Sequence, residues 1–449
     1  MEKQALKDAV VRIIDENRDR ITGIGERILA HPELGFKEVR TAGLVAETMK
    51  EIGLRPRTGL ALTGVKAVLE GARPGPTVAI LGELDAVVVA GHPAADEKDD
   101  AAHACGHNAQ VASLLGAMMG LVGSEAARNL AGRVVFFAVP AEEYVDIEYR
   151  ASLLAEGRLG YLGGKPELVR LGHFDDVDLA VMFHLHARPE DKTVLFPESH
   201  NGCLVKMIKY LGRAAHAGGA PHLGINALNA AHLALAGLHA QRETFKDEDS
   251  IRIHPIITQG GELVNVVPSV VKLETFVRGK TVEAIVEADQ GLDRALRAGA
   301  MAVGAQVEIR TLPGYLPVLA QPGLEEVFRT NCESLFGSEQ CAPTGHQAGS
   351  TDLGDLSHLM PAIHPYFVGA RGNHHSVDWC LREPDKAYLN PAKALAATVI
   401  DLLWDRAESA GRILKDHKPA MTKAGYLAFQ DRMYKTELYD GQANSSKFD

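Results

Sequence analysis

The first 50 residues place apolar side chains with the period of an α-helix. In ALKDAVVRIIDENRDRITGIGERILAHPELGF they recur at steps of three and four until Pro32 and Gly35 interrupt the pattern. A second helical stretch, NAQVASLLGAMMGLVGS, covers 108–124. Short apolar runs around it predict buried strands of a largely parallel sheet: TVAILGEL (77–84), GRVVFFAVP (132–140) and DLAVMFH (178–184). Because strands and helices alternate, we expect an α/β domain with a mostly parallel sheet.

The middle of the chain has a different order of elements. Its segments predict strand, helix, two strands, helix and strand: CLVKMIKYLG (203–212), INALNAAHLALAGLHAQRE (225–243), IRIHPIIT (251–258), VVKLETFVRG (270–279), TVEAIVEADQGLDRALRAGAMAVG (281–304) and AQVEIRTL (305–312). This β-α-β-β-α-β order is that of a ferredoxin-like α+β domain.

The α/β pattern resumes after Pro313, with helices predicted near 323–336 and 390–412. We therefore expect one α/β domain in two pieces, 1–197 and 314–449, interrupted by an inserted α+β domain at 198–313. The polar tail from Lys418 lacks a clear period and forms a C-terminal extension, either packed as a cap or loose.

Composition narrows the class of protein. The chain has 449 residues, 46% hydrophobic and 23% charged, as in a soluble protein with a full core. A formal charge of −11 disfavours nucleic-acid binding, which needs a cationic face. Five scattered cysteines predict a reducing compartment. The sequence shows neither a signal-peptide pattern nor an apolar run long enough for a membrane span, so we expect a cytoplasmic enzyme.

Candidate chemistry begins in HACGHNAQ (103–110), at a predicted strand-to-helix connection. A thiolate at Cys105 and an imidazole at His107 suit a borderline metal such as zinc. Taken alone, the motif also fits a cysteine nucleophile or a structural role. A metal centre would need further ligands from other segments.

Such ligands follow other predicted strands. Glu142 and Glu143 come directly after an apolar strand, at the sheet edge where α/β sites form. One carboxylate can bind a metal while the other acts as general base. The next strand ends with His184, and His186 lies two positions later on the same face. A glycine-containing loop adds the doublet His374–His375.

Seven stretches in order along about 350 residues resemble the metallopeptidase family that includes aminoacylase, carboxypeptidase G and hippurate hydrolase. Within that family the chain is most similar to the amidohydrolase branch with a Cys-x-His metal motif, near the p-aminobenzoyl-glutamate hydrolase B subunit type. The matching stretches are HPELGFKE (31–38), GELDAV (82–87), HACGHNAQ (103–110), PAEE (140–143), GRAAHAGGAPHLGINAL (212–228), NVVPS (265–269) and GSTDLGDLSHLMPAIHPYF (349–367).

The resemblance implies roles for individual residues of the catalytic domain. It makes Glu142 the general base and Asp85 an acidic residue beneath the site that orients a ligand. It also implies one or two divalent ions (zinc, manganese or cobalt) with five protein ligands, among which His186 and His374 stay open as alternatives to His184 and His375. The five are Cys105, His107, Glu143, His184 and His375.

The resemblance makes 1–197 and 314–449 the catalytic domain and the insert a dimerisation or lid domain, and it implies that His216 in the insert reaches across a homodimer and polarises the scissile carbonyl. Asn265, Gly349 and Ser350 are expected to bind substrate, and Arg278 could bind a substrate carboxylate through its planar fork. The implied reaction is hydrolysis of the amide bond in an N-acyl amino acid, including an aryl-acyl one, or in a short dipeptide.

Two departures from the family pattern affect substrate choice more than chemistry. Many relatives have Asp at the position of Asn108, whose role is left unassigned. The link VVAGHPAADEKDDA (88–101) is longer than in many relatives and is expected beside the site.

Three alternatives stay open at this point. The chain could be an amidase that uses Cys105 as nucleophile, with His107 or His184 as base. It could be a subunit that needs a partner chain for activity. It could also be a module that binds metal without turnover, although such a module has no need of Glu142.

Overall fold

The computed structural model of the protein describes residues 2–187 and 192–443. Its α-helices are α1 (Lys3–Glu16), α2 (Arg18–Leu29), α3 (Val39–Glu51), α4 (His107–Gly123), α5 (Ile147–Ala155), α6 (Gly164–Arg170), α7 (Ala227–Gln241), α8 (Val282–Val303), α9 (Pro322–Phe336), α10 (Leu353–Ser357), α11 (Asn390–Leu403), α12 (Glu408–Asp416) and α13 (Lys423–Met433). Among the described residues, no helix has the length and apolar character needed to cross a bilayer.

The β-strands are β1 (Arg57–Leu60), β2 (Gly64–Glu70), β3 (Arg73–Glu83), β4 (Val87–Val88), β5 (Ala101–Ala102), β6 (Ala131–Val139), β7 (Leu179–Val181), β8 (His184–His186), β9 (Val194–Pro197), β10 (Gly202–Leu211), β11 (Arg252–Ile253), β12 (Ile256–Gln259), β13 (Val270–Gly279), β14 (Gln306–Pro313), β15 (Cys341–Thr344), β16 (Ala362–Ile363), β17 (Tyr366–Val368), β18 (Ala370–Arg371), β19 (Cys380–Leu381) and β20 (Lys435–Asp440).

The chain forms two compact units. Of the described residues, the first unit contains 2–187, 192–198, 319–346 and 355–422, and the second contains 199–318, 347–354 and 423–443. From the sequence we assigned all of 314–449 to the catalytic domain. The structure differs there, because the C-terminal segment folds onto the second unit.

A six-stranded sheet of order β1-β2-β6-β3-β7-β16 is the centre of the first unit. The strands from β6 to β16 pair in parallel, while β1 and β2 add an antiparallel edge. The middle strands are buried, which explains their continuous apolar runs. Helix α4 is also buried along almost its whole length and lies in the core among α1, α2 and α11. The predicted α/β fold class is confirmed.

The predicted strand at 178–184 is divided between two sheets. Leu179–Val181 pairs with β3 in the central sheet, whereas His184–His186 pairs with β17 in a separate sheet of order β15-β9-β17-β8. The predicted helix at 390–412 is likewise interrupted at Trp404, whose extended backbone ends α11. Apolar periodicity did not reveal either break.

The second unit contains an antiparallel sheet of order β11-β13-β10-β14-β20, and β12 also pairs with β13. Helices α7 and α8 pack together and share an apolar core with this sheet. Thr281 caps α8 by accepting a hydrogen bond from the Ala284 amide, and Gly304 ends the helix at φ +70°. The β-α-β-β-α-β order predicted for the insert is observed except that the strand predicted at 251–258 is divided into β11 and β12, both of which pair with β13.

The C-terminal segment extends this sheet. Strand β20 pairs antiparallel with β14 over 306–311, and Glu437 forms a bidentate ion pair with Arg297 on α8. Met433, at the end of α13, is buried in the core of the second unit. Of the two possibilities left for the tail, the structure shows a packed cap up to residue 443, where the described part of the chain ends.

Candidate metal centre

The central sheet brings two acidic segments to one edge. Strands β3 and β6 run parallel with Glu83 opposite Val139, so both end at the same level. Asp85 follows β3, and Glu142 and Glu143 follow β6 after a turn through Ala141 at φ +54°. The carboxyl ends of parallel strands are where α/β proteins build their sites.

Helix α4 supplies the next two groups at its first turn. Gly106 precedes His107 with φ +99°, a conformation that favours glycine, and a Cβ there would lie 3.0 Å from Leu185. This turn places Cys105 and His107 in succession at the buried end of the helix. Both are shielded from solvent.

Cys105 lies at the centre of the cluster. Its Sγ is 3.2 Å from His184 Nε2 and 3.4 Å from His375 Nε2. His375 Nε2 also lies 2.9 Å from a carboxylate oxygen of Glu143. The His375 backbone has φ +59°, and its amide donates to the Ala104 carbonyl at 3.0 Å. This hydrogen bond fixes the loop that carries His375 to the segment that contains Cys105.

Asp85 orients two of the other groups. His107 Nδ1 lies 2.9 Å from the Asp85 carbonyl oxygen and 3.2 Å from its Oδ1. Asp85 Oδ2 accepts a hydrogen bond from the Glu143 amide at 2.8 Å. Because Nδ1 is held in this way, His107 directs Nε2 toward the cluster, as metal-binding histidines do.

The charges in the cluster favour the thiolate form of Cys105 and the protonated form of His375. Burial raises the pKa of the Cys105 thiol, but His184, His375 and His107 outweigh burial and hold that pKa well below its ordinary value. The Glu143 carboxylate is the main cause that raises the pKa of His375 to about 11. A thiolate is the form of cysteine that binds metals.

The donor atoms form two sets that share the cysteine. Those of Cys105, His107 and His184 lie within 4.8 Å of one another, and so do those of Cys105, Glu143 and His375. Thiolate, imidazole and carboxylate are the ligands that zinc and its neighbours take in proteins. The residues therefore fit divalent metal, which these two donor sets with the Cys105 sulfur in common would hold.

The structure discriminates between the alternative histidines. His184, rather than His186, lies next to Cys105, while the His186 ring packs against Tyr366 with centroids 5.8 Å apart. His375 contacts Cys105 and Glu143, whereas His374 packs against the His184 ring at 5.4 Å. All five expected ligands, together with Glu142 and Asp85, belong to the first unit.

The remaining predicted residues belong to the second unit, in two places. His216 and Asn265 are neighbours: the Ala217 amide donates to the Asn265 carbonyl, and His216 forms a β-bridge with Val266. The His216 ring accepts hydrogen bonds through Nδ1 from the amides of Gly218 and Gly219.

Arg278 lies at the other end of β13, opposite Cys203 and with its guanidinium over the Phe276 ring at 5.2 Å. Ser350 Oγ donates to the Gly202 carbonyl at 3.4 Å, near this same end of the sheet, and Gly349 precedes it in an exposed position. The structure therefore separates Arg278 from His216 and Asn265 instead of gathering all three at one place.

Asn108, left unassigned from the sequence, has a structural role. Its Nδ2 donates to the Gly25 carbonyl and to the Tyr388 hydroxyl, both at 3.2 Å, and the side chain is fully buried. These bonds tie the start of α4 to α2. His103 is also buried, which lowers its pKa to about 3 and keeps the ring neutral.

The long link after β3 forms a hairpin. Val87–Val88 pairs with Ala101–Ala102, and His92 Nε2 lies 3.0 Å from the Trp379 carbonyl oxygen. Trp379 ends the loop that carries His375, so the hairpin supports that loop.

Glu83 and Lys165 were not predicted from the sequence. Glu83 is buried at the end of β3, and the equally buried Lys165 Nζ lies 2.5 Å from one of its oxygens. The signal that could have identified Glu83 is its position: it lies two residues before Asp85 at the carboxyl end of a buried strand.

A parallel sheet with thiolate, imidazole and carboxylate donors at its carboxyl edge defines a class, the metal-dependent hydrolases. The model of peptidase family M20/M25/M40 matches residues 79–401, and the chain belongs to this family. The enzymes of this family use divalent metal to hydrolyse carbon–nitrogen bonds, and this chain is such a hydrolase. Membership of the family disfavours the alternative in which Cys105 is a nucleophile.

Individual relatives show how far the similarity extends. The chain is 30% identical to a mouse Xaa-Arg dipeptidase over 432 residues, covering 90% of this chain and 91% of that one. It is 26% identical to one subunit of the p-aminobenzoyl-glutamate hydrolase of Escherichia coli K12 over 314 residues, 68% and 60% of the two chains. A Bacillus subtilis structure described as a dinuclear metal-binding peptidase of family M20 superposes with TM-score 0.63 at 21% identity, over 87% and 99% of the chains.

Proposed function

We propose that this protein cleaves the amide bond of N-acyl amino acids or short dipeptides at a two-metal centre. Cys105, His107 and His184 would hold one ion, and Cys105, Glu143 and His375 the other. The observation that carries the proposal is that two sets of donor atoms share the Cys105 sulfur. Zinc, manganese and cobalt all suit this mixture of ligands.

The bound ions supply Lewis acidity, which polarises the amide carbonyl and makes water easier to deprotonate. Glu142 takes the proton of the attacking water and delivers it to the departing amine nitrogen. Its Oε2 lies 3.9 Å from His107 Nε2, beside the ligands. Asp85 holds His107 and the Glu143 backbone in place throughout.

The relatives guide the choice of substrates. One is named for Xaa-Arg dipeptides and another for p-aminobenzoyl-glutamate, so both belong in a panel with N-acetyl and indole-acetyl amino acids. We expect turnover by purified, metal-loaded protein and its loss in the presence of a chelator. Activity that survives chelation but not alkylation of Cys105 would contradict the metal mechanism. Activity only with a second chain would support the partner-dependent alternative.

A Glu142→Gln variant tests the general base. We expect metal content to stay at the wild-type value while kcat falls by roughly 100-fold or more, the usual contribution of acid–base catalysis. Wild-type kcat in a fully loaded variant would refute this role.

We further propose a homodimer formed through the second unit. Ile256 and Ile257 on β12 and Leu263 and Val264 beyond it are exposed apolar side chains close to Asn265 in the chain. Strand β20 covers the opposite edge of the sheet. Exposed apolar strands are typical of surfaces that pair with another chain.

In this dimer, His216 and Asn265 would complete the metal centre of the other protomer, and Arg278, Gly349 and Ser350 would bind substrate. Mixing inactive His216→Ala and Glu142→Gln chains tests the sharing. Mixed dimers should regain activity, because one of their two sites has an intact Glu142 and an intact His216. Mixed dimers without activity would contradict the shared site.

The cytoplasmic location stays a prediction.

A further inference from the structure

Glu83 lies beside the metal centre and is held rigidly. Lys165 Nζ is 2.5 Å from Glu83 Oε1, and Gln110 Nε2 donates to Oε2 at 2.8 Å. The Glu83 amide in turn donates to the Gln110 side-chain oxygen at 3.0 Å. Both members of the ion pair are buried, so these contacts place the carboxylate in one position.

That position is within reach of a metal ligand. Glu83 Oε2 lies 3.0 Å from His107 Nε2, the ring nitrogen that Asp85 leaves available. Donor atoms of Glu83, His107 and Glu142 lie within 4.8 Å of one another. Zinc–nitrogen and zinc–oxygen bonds are about 2.0–2.2 Å long, so two ligands of one ion lie roughly 3 Å apart.

We propose that Glu83 is a further ligand of the ion held by His107. The inference rests on the proposed two-metal centre and adds a carboxylate whose donor atom is grouped with those of His107 and Glu142. Lys165 then offsets part of the negative charge that the thiolate and this carboxylate bring to the buried site. Stability alone accounts poorly for the pair, because a buried Lys–Glu pair is often no better than apolar side chains of similar volume.

The competing explanation is that Glu83 and Lys165 form only a structural ion pair. Three variants separate the two: Glu83→Gln, Lys165→Met and the double substitution. If the pair is structural, either single variant leaves a buried charge alone, and the double variant recovers because both charges are gone. If Glu83 is a ligand, metal affinity depends mainly on the carboxylate, and loss of Lys165, which only orients Glu83 and offsets its charge, costs no more than about 10- to 100-fold.

The matched control is Glu167→Gln. Glu167 is another buried carboxylate on α6, paired with Arg170 in the same unit, and it is absent from the donor sets found among the described residues. It reports the general effect of removing a buried negative charge.

The measurement is Zn²⁺ affinity and stoichiometry by calorimetry with chelator competition, supported by the absorption spectrum of Co²⁺-loaded protein. We expect two tight equivalents in wild type and Glu167→Gln, and in Lys165→Met a loss of no more than about 10- to 100-fold in one of them. In Glu83→Gln and in the double variant, one equivalent should weaken by more than about 100-fold, beyond the 10- to 100-fold typical of a residue that only orients a ligand. If Glu83→Gln fails to fold, the Zn²⁺ affinity of the double variant tests the inference instead.

Tight binding of both equivalents by the double variant would overturn the inference, as would a loss in Glu83→Gln of only about 10- to 100-fold. Wild-type protein that binds no divalent ion would instead refute the proposed metal centre, and this inference with it.

Discussion

Replacement of Asp85 by Asn tests how strongly the buried carboxylate organises the site. Asp85 is fully buried and accepts from two donors, His107 Nδ1 through Oδ1 and the Glu143 amide through Oδ2. Asparagine has the same shape but offers only one side-chain oxygen. Its amide group must therefore face one of these two N–H donors.

The expected effect follows from that mismatch. A buried donor without an acceptor costs about 1–3 kcal/mol, which corresponds to roughly 5- to 150-fold in an equilibrium constant. If the new amide group faces Glu143, that backbone donor loses its acceptor; if it faces His107, Nδ1 keeps the backbone carbonyl oxygen at 2.9 Å but loses the carboxylate. Either change falls on a proposed ligand, so it should appear as weaker metal binding. We expect the metal dissociation constant of Asp85→Asn to rise by about 10- to 100-fold, the range for outer hydrogen-bond partners of metal ligands.

The assay is chelator competition on the purified protein, followed by kcat/KM at saturating metal. Asp178→Asn is the matched control, because Asp178 Oδ2 accepts from the Thr77 amide at 2.8 Å near the opposite end of β3. That exposed side chain can turn its remaining oxygen toward the donor. A folded Asp85→Asn protein with metal affinity within about twofold of wild type would refute the reasoning.

Two further predictions concern stability. Gly25→Ala should lower the free energy of unfolding by about 1–3 kcal/mol, because a Cβ there would lie 2.5 Å from the buried Tyr388 ring. Gly23→Ala on the same helix is the control, since a Cβ at that position meets nothing within 4 Å. Equal melting temperatures of the two variants would contradict this prediction. Burial, with the charge of Asp85, raises the pKa of Glu38 to about 7. Protonated Glu38 thus contributes up to about 3 kcal/mol to the stability of the metal-free fold. This contribution is fully present below about pH 4.5 and is lost as the pH rises through 7. Urea unfolding from pH 5 to 8 should show this decline in wild type and not in Glu38→Gln; parallel curves would exclude it.

The chain's local patterns predicted most of the fold. Apolar runs in the central sheet, the helix that begins at His107 and the β-α-β-β-α-β insert were all found in the structure. They were predictable because each depends on neighbours in sequence: the period of apolar side chains matches the geometry of a strand or a helix. The candidate ligands were found in the same way, from polar residues that directly follow apolar strands.

Other features depend on partners distant in sequence. Strand β20 pairs with β14 more than 120 residues earlier, although its own segment is polar and carries no apolar period. His184 leaves the central sheet because β8 pairs with β17. Hydrogen bonds between strands are made by the backbone, so side-chain patterns give little information about which strand is the partner.

The sequence by itself determined the kind of chemistry, because thiol, imidazole and carboxylate groups are properties of individual residues. Only the tertiary structure decided which of them meet. It brought His375 rather than His374 to Cys105, turned Asn108 toward Tyr388, and placed Glu83 next to His107 with Lys165 as its counter-ion. The reason is that distances of about 3 Å between side chains are set by the packing of whole helices and strands, which no single segment encodes.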